Sequence, residues 1–303
     1  MIDAVGCITS LQVPHRLADA ILRDSQTKDG IEFRKSDKGK ALNTVSQQNA
    51  TALYQVCPSA LIFGMWDSTG PKGGLGAKFE RAIVSEVVGV GASVGDLLRG
   101  VRRDPLEVRA AVKVLKGVDK NWSLALANAK GAVPPSKVNH SSVPFPEQRD
   151  EKTENNLYSG ATIEYAEQVT TLSLIVLRRL RFPMNGSVGA PRDIAGRTVL
   201  AALGLCAATL AFEAGMGLRS RCLLWPDGPM NWELLAKPGE PPQTFTLTSD
   251  DAVSLLKQSA EAAKKESLTW EEKPIELVPQ QKLVDLVRLS QLEATKEASQ
   301  QAS

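Results

Sequence analysis

Residues 58–90, PSALIFGMWDSTGPKGGLGAKFERAIVSEVVGV, hold the densest set of side chains able to do chemistry, and that chemistry is the binding of a polyanion. Gly64, Gly70, Gly73, Gly74 and Gly76 surround Lys72, and Lys78 and Arg81 follow. Glycines let main-chain N–H groups approach an anion closely, and the cations supply complementary charge. Trp66, Ser68 and Thr69 add a π-face and hydroxyl donors. This combination suits single-stranded RNA, which can be held by stacking and backbone contacts without its bases being read. A glycine-rich surface loop can equally be no more than flexible, and Trp66 can equally belong to a core. The pattern by itself leaves both alternatives open.

Further cations cluster at Arg99, Arg102, Arg103, Arg109, Lys113 and Lys116, and again at Arg178, Arg179 and Arg181. Any single cluster of this kind is ordinarily a solvated face. Several in one body weaken that reading and make Arg102, Arg103, Arg178, Arg179 and Arg181 candidate phosphate contacts beside Lys72, Lys78 and Arg81. Phe145 joins Trp66 as a stacking candidate.

Catalysis is poorly supplied. Of the two histidines, His15 precedes a helical stretch, and His140 lies in a polar one with no cysteine or carboxylate at metal-ligand spacing. Neither H-E-x-x-H nor a P-loop pattern occurs. No catalytic residue, no metal and no cofactor are therefore expected. Gly89, Gly91 and Gly95 follow a strand-like run and loosely imitate the glycine turn of a dinucleotide fold, with Asp119 in place of its ribose-binding acid. The stretch from Asp96 meets Gly100 and then Asp104-Pro105, too short and too broken for a crossover helix. A nucleotide-cofactor enzyme using Gly89–Gly95 stays as an alternative.

The elements that must position these residues belong to an ordinary globular chain. Its 303 residues are 43% apolar and 23% charged, with a formal net charge of +2 that does not announce nucleic acid. The balance is uneven: residues 250–303 carry ten Asp/Glu against seven Lys/Arg, which leaves +5 for residues 1–249. Cys7, Cys57, Cys206 and Cys222 are widely spaced with no C-x-x-C pair; the three nearest their own apolar runs read as small buried hydrophobes, and a reduced, cytoplasmic compartment fits. With no basic n-region followed by an apolar h-region in the first residues, no secretory signal is expected. The apolar run 198–212 is short for a membrane span and reads as a buried helix.

Along the chain, residues 24–46 are polar and lysine-rich and read as a surface excursion. Helix is expected over 49–56. Strand, long loop and strand are expected over 58–90, with Ala60–Phe63 as the first strand. Alternation predicts a strand over 106–115. Residues 118–157 lack a core-forming pattern and read as an inserted arm. The segment 161–182 is β-branched in its first half and able to be helical in its second, with Pro183 as a stop. Helix over 194–217, a strand over 220–225, and helices after Asp250 and over 277–297 complete the chain. The irregular mixture suggests an α+β fold.

Three blocks together resemble a known family: CPSALIFGMWDSTGPKGGLGAKFERAIVSEVVGV (57–90), HRLADAILRDSQTKDGIEF (15–33) and TIEYAEQVTTLSLIVLRRLRFP (162–183). They are similar to the RAMP-type (Cas-seven-type) backbone subunit of type I-G, formerly I-U, CRISPR interference (Cascade) complexes. The resemblance covers most of residues 11–225. It implies a modified RRM, or ferredoxin-like, palm with inserted finger and thumb elements, placed over 1–247 with an arm or thumb at 121–158; the helices read after Asp250 add a helical C-terminal extension over 248–303.

In function it implies a non-enzymatic ribonucleoprotein subunit of antiviral defence. Copies would stack along one CRISPR RNA and grip its backbone, leaving the bases to pair with a target DNA strand. The implied partners are neighbouring copies, a large subunit, a subunit that caps or processes the RNA end, and a recruited helicase-nuclease, with no membrane. Such a scaffold accepts any guide, so main-chain N–H groups (Gly73 and Gly74), cations and stacking should hold the RNA. A ribonuclease that processes guide RNA, using His15 or His140, remains a further alternative.

Overall fold

The computed structural model describes residue 9 and residues 20–67, 77–95, 112–117, 122–125, 129–138, 160–219 and 222–289. The architecture is α+β, as expected from the sequence. Its described residues fall into two compact units, one formed by 20–87 with 168–289 and the other by the described part of 88–167.

The first unit begins with α1 (Ala20–Arg23), β1 (Ser25–Thr27), a 3-10 turn (Phe33–Lys35) and α2 (Asp37–Asn43), whose first turn is capped by the Ser36 side chain accepting from Gly39 N–H. Next come α3 (Thr51–Val56), α4 (Ser59–Phe63), β2 (Met65–Trp66), β3 (Lys78–Phe79) and β4 (Ile83–Val90). The second unit adds β5 (Ser93–Gly95), β6 (Lys113–Lys116), β7 (Trp122–Ala125), a 3-10 turn (Pro135–Val138) and β8 (Gly160–Thr162). The chain returns through β9 (Tyr165–Leu172), the partner of β4, into α5 (Leu174–Arg178), capped by Ser173. There follow α6 (Ala190–Glu213), β10 (Met216–Arg219), β11 (Cys222–Leu224), β12 (Met230–Leu234), β13 (Gln243–Leu247), α7 (Ser249–Lys265), β14 (Leu277–Pro279) and α8 (residues 281–289). Among the described residues the strands pair two by two, and β14 pairs antiparallel with β1.

The core of the first unit is built on α6. Its 24 residues would suffice by length and composition to cross a membrane, yet Val199, Leu200, Ala202, Gly204 and Cys206 are buried against the rest of the unit. Leu53, Tyr54, Leu61, Ile62, Leu177 and Phe182 fill the same cluster, and each fully buried side chain of this size contributes about 1.5–3 kcal/mol. Tyr54 meets Phe182 edge-on, ring centroids 5.4 Å apart. Burial pushes the Tyr54 phenol up to about 12. Helix α7 starts with a reciprocal capping box between Thr248 and Asp251 and ends in Lys264 and Lys265, complementing its dipole. Ala252, Ala263 and Leu268 lie in the same cluster as Leu200, so the expected C-terminal extension packs into the core.

Three expectations need correction. Ser59–Phe63 is helix, not strand: Ser59, Ala60, Leu61 and Ile62 are all buried, and a short run buried on every side carries no period to read. Residues 24–46 are not merely a surface excursion, since Phe33, Gly39 and Val45 are buried. Those residues are too scattered in sequence to form a pattern. Residues 277–279 are extended, and the helix begins only at 281, because the residue before Pro279 is held out of the helical region. Of the stretch expected as an arm, 121–158, the described residues hold strand β7 and the 3-10 turn at 135–138, and residues 121, 126–128 and 139–158 lie outside the described set.

Candidate nucleic-acid interface

The loop 68–76, with Lys72, Gly73 and Gly74, lies outside the described residues, and the structure defines the neck that holds it. Asp67 N–H donates to Ala77 O at 3.0 Å; below that, Trp66 is paired with Lys78 and Met65 with Phe79. Met65 and Phe79 are buried, whereas Trp66 is 61% exposed and Lys78 is exposed. Alternation along a strand turns one pair into the core and the next to solvent. Of the two alternatives left open for Trp66, membership of the core is thereby removed.

Two features fix the neck. The Arg34 guanidinium donates Nη2 to Asp67 Oδ1 at 2.9 Å and Nη1 to Asp67 Oδ2 at 3.0 Å, and Nη1 also reaches Asn43 Oδ1 at 2.8 Å. Asp67 is 5% exposed, so this two-point pair is made largely out of water, where charge-assisted hydrogen bonds are strong. Gly64 has φ +82, and a Cβ there would stand 3.1 Å from Phe79 O and 3.0 Å from Arg81 Cγ. Only glycine fits where α4 hands over to β2 against the β3 side of the neck.

Beyond the neck the chain continues through Glu80 and the exposed Arg81. Ala82 N–H donates to Ile62 O at 2.8 Å, and Ser173 N–H donates to Ala82 O at 2.7 Å, which brings the start of α5 alongside. At the far end of α5, Arg179 bonds Glu80 Oε2 at 2.8 Å. The LRRLRFP run (177–183) divides in three. Leu177, Leu180 and Phe182 are buried; Arg178 and Arg179 are exposed; Arg181 is bound into the fold. Its Nη1 donates to Arg178 O at 2.8 Å and Leu180 O at 3.0 Å, and its Nε lies 3.4 Å from buried Asp193. Asp193 accepts from Phe182 N–H at 2.8 Å, and Arg197 donates twice to Leu180 O at 3.0 and 2.7 Å. Burial, then the nearby Arg181 charge, draws the Arg197 guanidinium below its ordinary value.

The structure thus joins Lys78, Arg81, Arg178 and Arg179 to segments that adjoin in the first unit, beside Trp66 on the neck, and assigns Arg181 a structural task as well. Arg102, Arg103, Phe145, His15 and His140 lie outside the described residues. Among the described residues, no group of three His, Cys, Asp or Glu side chains is placed to hold a metal ion. The glycines at 89–95 run from strand β4 through a turn at Gly91, φ +66, into strand β5, which pairs with β8. Among the described residues Gly91–Gly95 are turn and strand, whereas a dinucleotide pyrophosphate needs a helix N-terminus within such a glycine run. Gly91–Gly95 also spells G-x-S-x-G. A nucleophile elbow would set its serine on a strand-to-helix turn, but Ser93 is the first residue of β5.

Sequence reasoning missed Arg34, Asn43 and Asp67 as the clamp of the loop. An aspartate flanking a glycine run was visible, but nothing in the sequence linked it to an arginine 33 residues earlier.

The family model for CRISPR-associated protein GSU0053 (Cas_GSU0053) matches residues 2–94, a little under a third of the chain. The match supports a CRISPR-associated role, and its span takes in Arg34, the neck and the loop 68–76. Neither curated proteins nor solved structures give a significant match.

Proposed function

We propose that this chain is a non-catalytic, RNA-binding backbone subunit of a type I-G CRISPR interference complex, acting in the cytoplasm. The observation that carries this reading is the neck. A lysine-bearing glycine loop is held by a buried ion pair, presents an exposed tryptophan opposite a lysine, and sits inside the segment similar to a CRISPR-associated family. Main-chain N–H groups, Lys72, Lys78, Arg81, Arg178 and Arg179 grip phosphates, and Trp66 stacks on a base. These contacts do not read sequence, as a carrier of any guide requires. The chain forms an RRM-like palm, stacks with neighbouring copies along the guide, and offers the guide to a target DNA strand. The other subunits cap or process the RNA and recruit the helicase-nuclease.

The test is to purify the tagged full chain from cells expressing a CRISPR array. A discrete small RNA should co-purify and raise the 260/280 nm absorbance ratio. Binding should weaken steeply as salt rises, because phosphate contacts release counterions. Protein free of RNA, or RNA binding indifferent to salt, overturns the proposal.

A further inference from the structure

The second unit repeats the arrangement of the neck. In the β6–β7 ribbon the register sets Lys116 opposite Trp122, just as Lys78 stands opposite Trp66 in the β2–β3 ribbon. Directly opposed side chains on an antiparallel pair have Cβ atoms about 4.5–5.5 Å apart, so each ribbon presents an indole face and an ammonium group together. Trp122 is 46% exposed and Lys116 is exposed. The ribbon is firmly built. Val114 of β6 is 2% exposed and exchanges two hydrogen bonds of 2.9 Å with Val133 on the side away from β7. β6 is therefore the middle of three extended segments, and Trp122 rides on the outer one.

The local charge favours one kind of occupant. Residues 112–138 carry Lys113, Lys116, Lys120, Lys130 and Lys137 against the single acid Asp119, a net +4 in a chain whose total is +2. A flat aromatic face amid this much unbalanced positive charge is complementary to an unstacked base and its phosphates. A docked protein surface would have to neutralise the same lysines. We propose that the β6–β7 ribbon is a second contact for single-stranded nucleic acid, with Trp122 stacking on a base and Lys116 bonding an adjacent phosphate. The inference rests on the RNA-binding function proposed above and adds to it a site in the other unit.

The experiment uses the full chain and a fluorescein-labelled 30-nucleotide oligouridine, with an oligothymidine of equal length for comparison. Trp122→Ala should weaken binding roughly ten-fold, the loss typical of one stacked base, and Trp122→Phe should restore most of it. Lys116→Gln should lower the slope of log affinity against log salt by about 0.7, the value for one phosphate contact on a single strand. Thermal melting of each variant separates these effects from unfolding, and if Trp122→Ala does not fold, Trp122→Phe and Lys116→Gln decide. Wild-type affinity and slope in the Trp122 and Lys116 variants, with binding weakened in Trp66→Ala or Lys78→Gln, overturn this inference and leave the proposed function standing. Absence of binding by the wild-type chain overturns both. A Trp122→Ala protein that keeps its RNA affinity but changes its mass on sizing marks a protein-binding ribbon, and that too overturns the inference.

Discussion

Arg34 and Asp67 lie 33 residues apart and meet through two hydrogen bonds of 3.0 and 2.9 Å, with side chains 20% and 7% exposed. The pair ties the segment before α2 to the loop end of the neck, where Asp67 N–H donates to Ala77 O. Replacing Arg34 by Ala leaves the Asp67 carboxylate buried without its cation, and should cost about 3 kcal/mol in urea unfolding. Arg34→Lys, which cannot supply the two-point geometry, should recover only part of this.

Gly64 and Gly30 both have positive φ, +82 and +79, but only Gly64 is crowded. Gly64→Ala meets Phe79 O and Arg81 as well as the backbone penalty, whereas Gly30→Ala has nothing within 4 Å. Differential scanning calorimetry should give a loss of roughly 1 kcal/mol for Gly30→Ala and a larger one, up to about 3 kcal/mol, for Gly64→Ala.

The arginines of LRRLRFP should separate by kind of effect. Arg178 is exposed, so Arg178→Ala should weaken RNA binding while stability changes by less than about 0.5 kcal/mol. Arg181 bonds two carbonyls and faces Asp193, so Arg181→Ala should lower the melting temperature first. Arg179→Ala removes an exposed pair with Glu80, worth about 0.2–1 kcal/mol, and should weaken RNA binding as well. Filter binding and thermal melts on the three variants check the order.

Asp24 accepts from Arg23 and lies 2.8 Å from Lys282 on α8, and these hydrogen bonds hold its carboxyl well below the ordinary carboxylate range. A carboxyl depressed on folding contributes stability that is present in full above its unfolded value, near 4, and is lost as pH falls toward the folded value. Lys282→Ala should therefore destabilise the chain at pH 7, with the difference from wild type narrowing between pH 5 and pH 2. Melting curves across that range test the sign.

Sequence alone made legible what periodicity and punctuation could carry. Helix α6 stood out by its long apolar run, α7 by the aspartates at its start, β9 followed by α5 by its β-branched first half and the Pro183 stop, and the loop by its glycines. What escaped depended on distance in the chain. In the run at Ser59–Phe63 the four successive residues Ser59–Ile62 are all buried, so no alternation of faces reveals its period. Phe33 and Val45 are isolated core residues in a polar block. Arg181 reads like its neighbours Arg178 and Arg179, and only the buried Asp193 across the turn distinguishes it.

The β1–β14 ladder sets an order of events in the making of this protein. Ser25 pairs with Pro279 and Thr27 with Leu277, and Lys28 pairs with Glu276, so β1 waits for a strand that is synthesised long after it. Local hairpins such as β12–β13 close over a few residues, whereas this ladder closes a loop spanning most of the chain and bears the entropy that goes with it. On the ribosome, β1 keeps an open hydrogen-bonding edge until residue 279 emerges, and over that interval the nascent chain is exposed to edge-to-edge association.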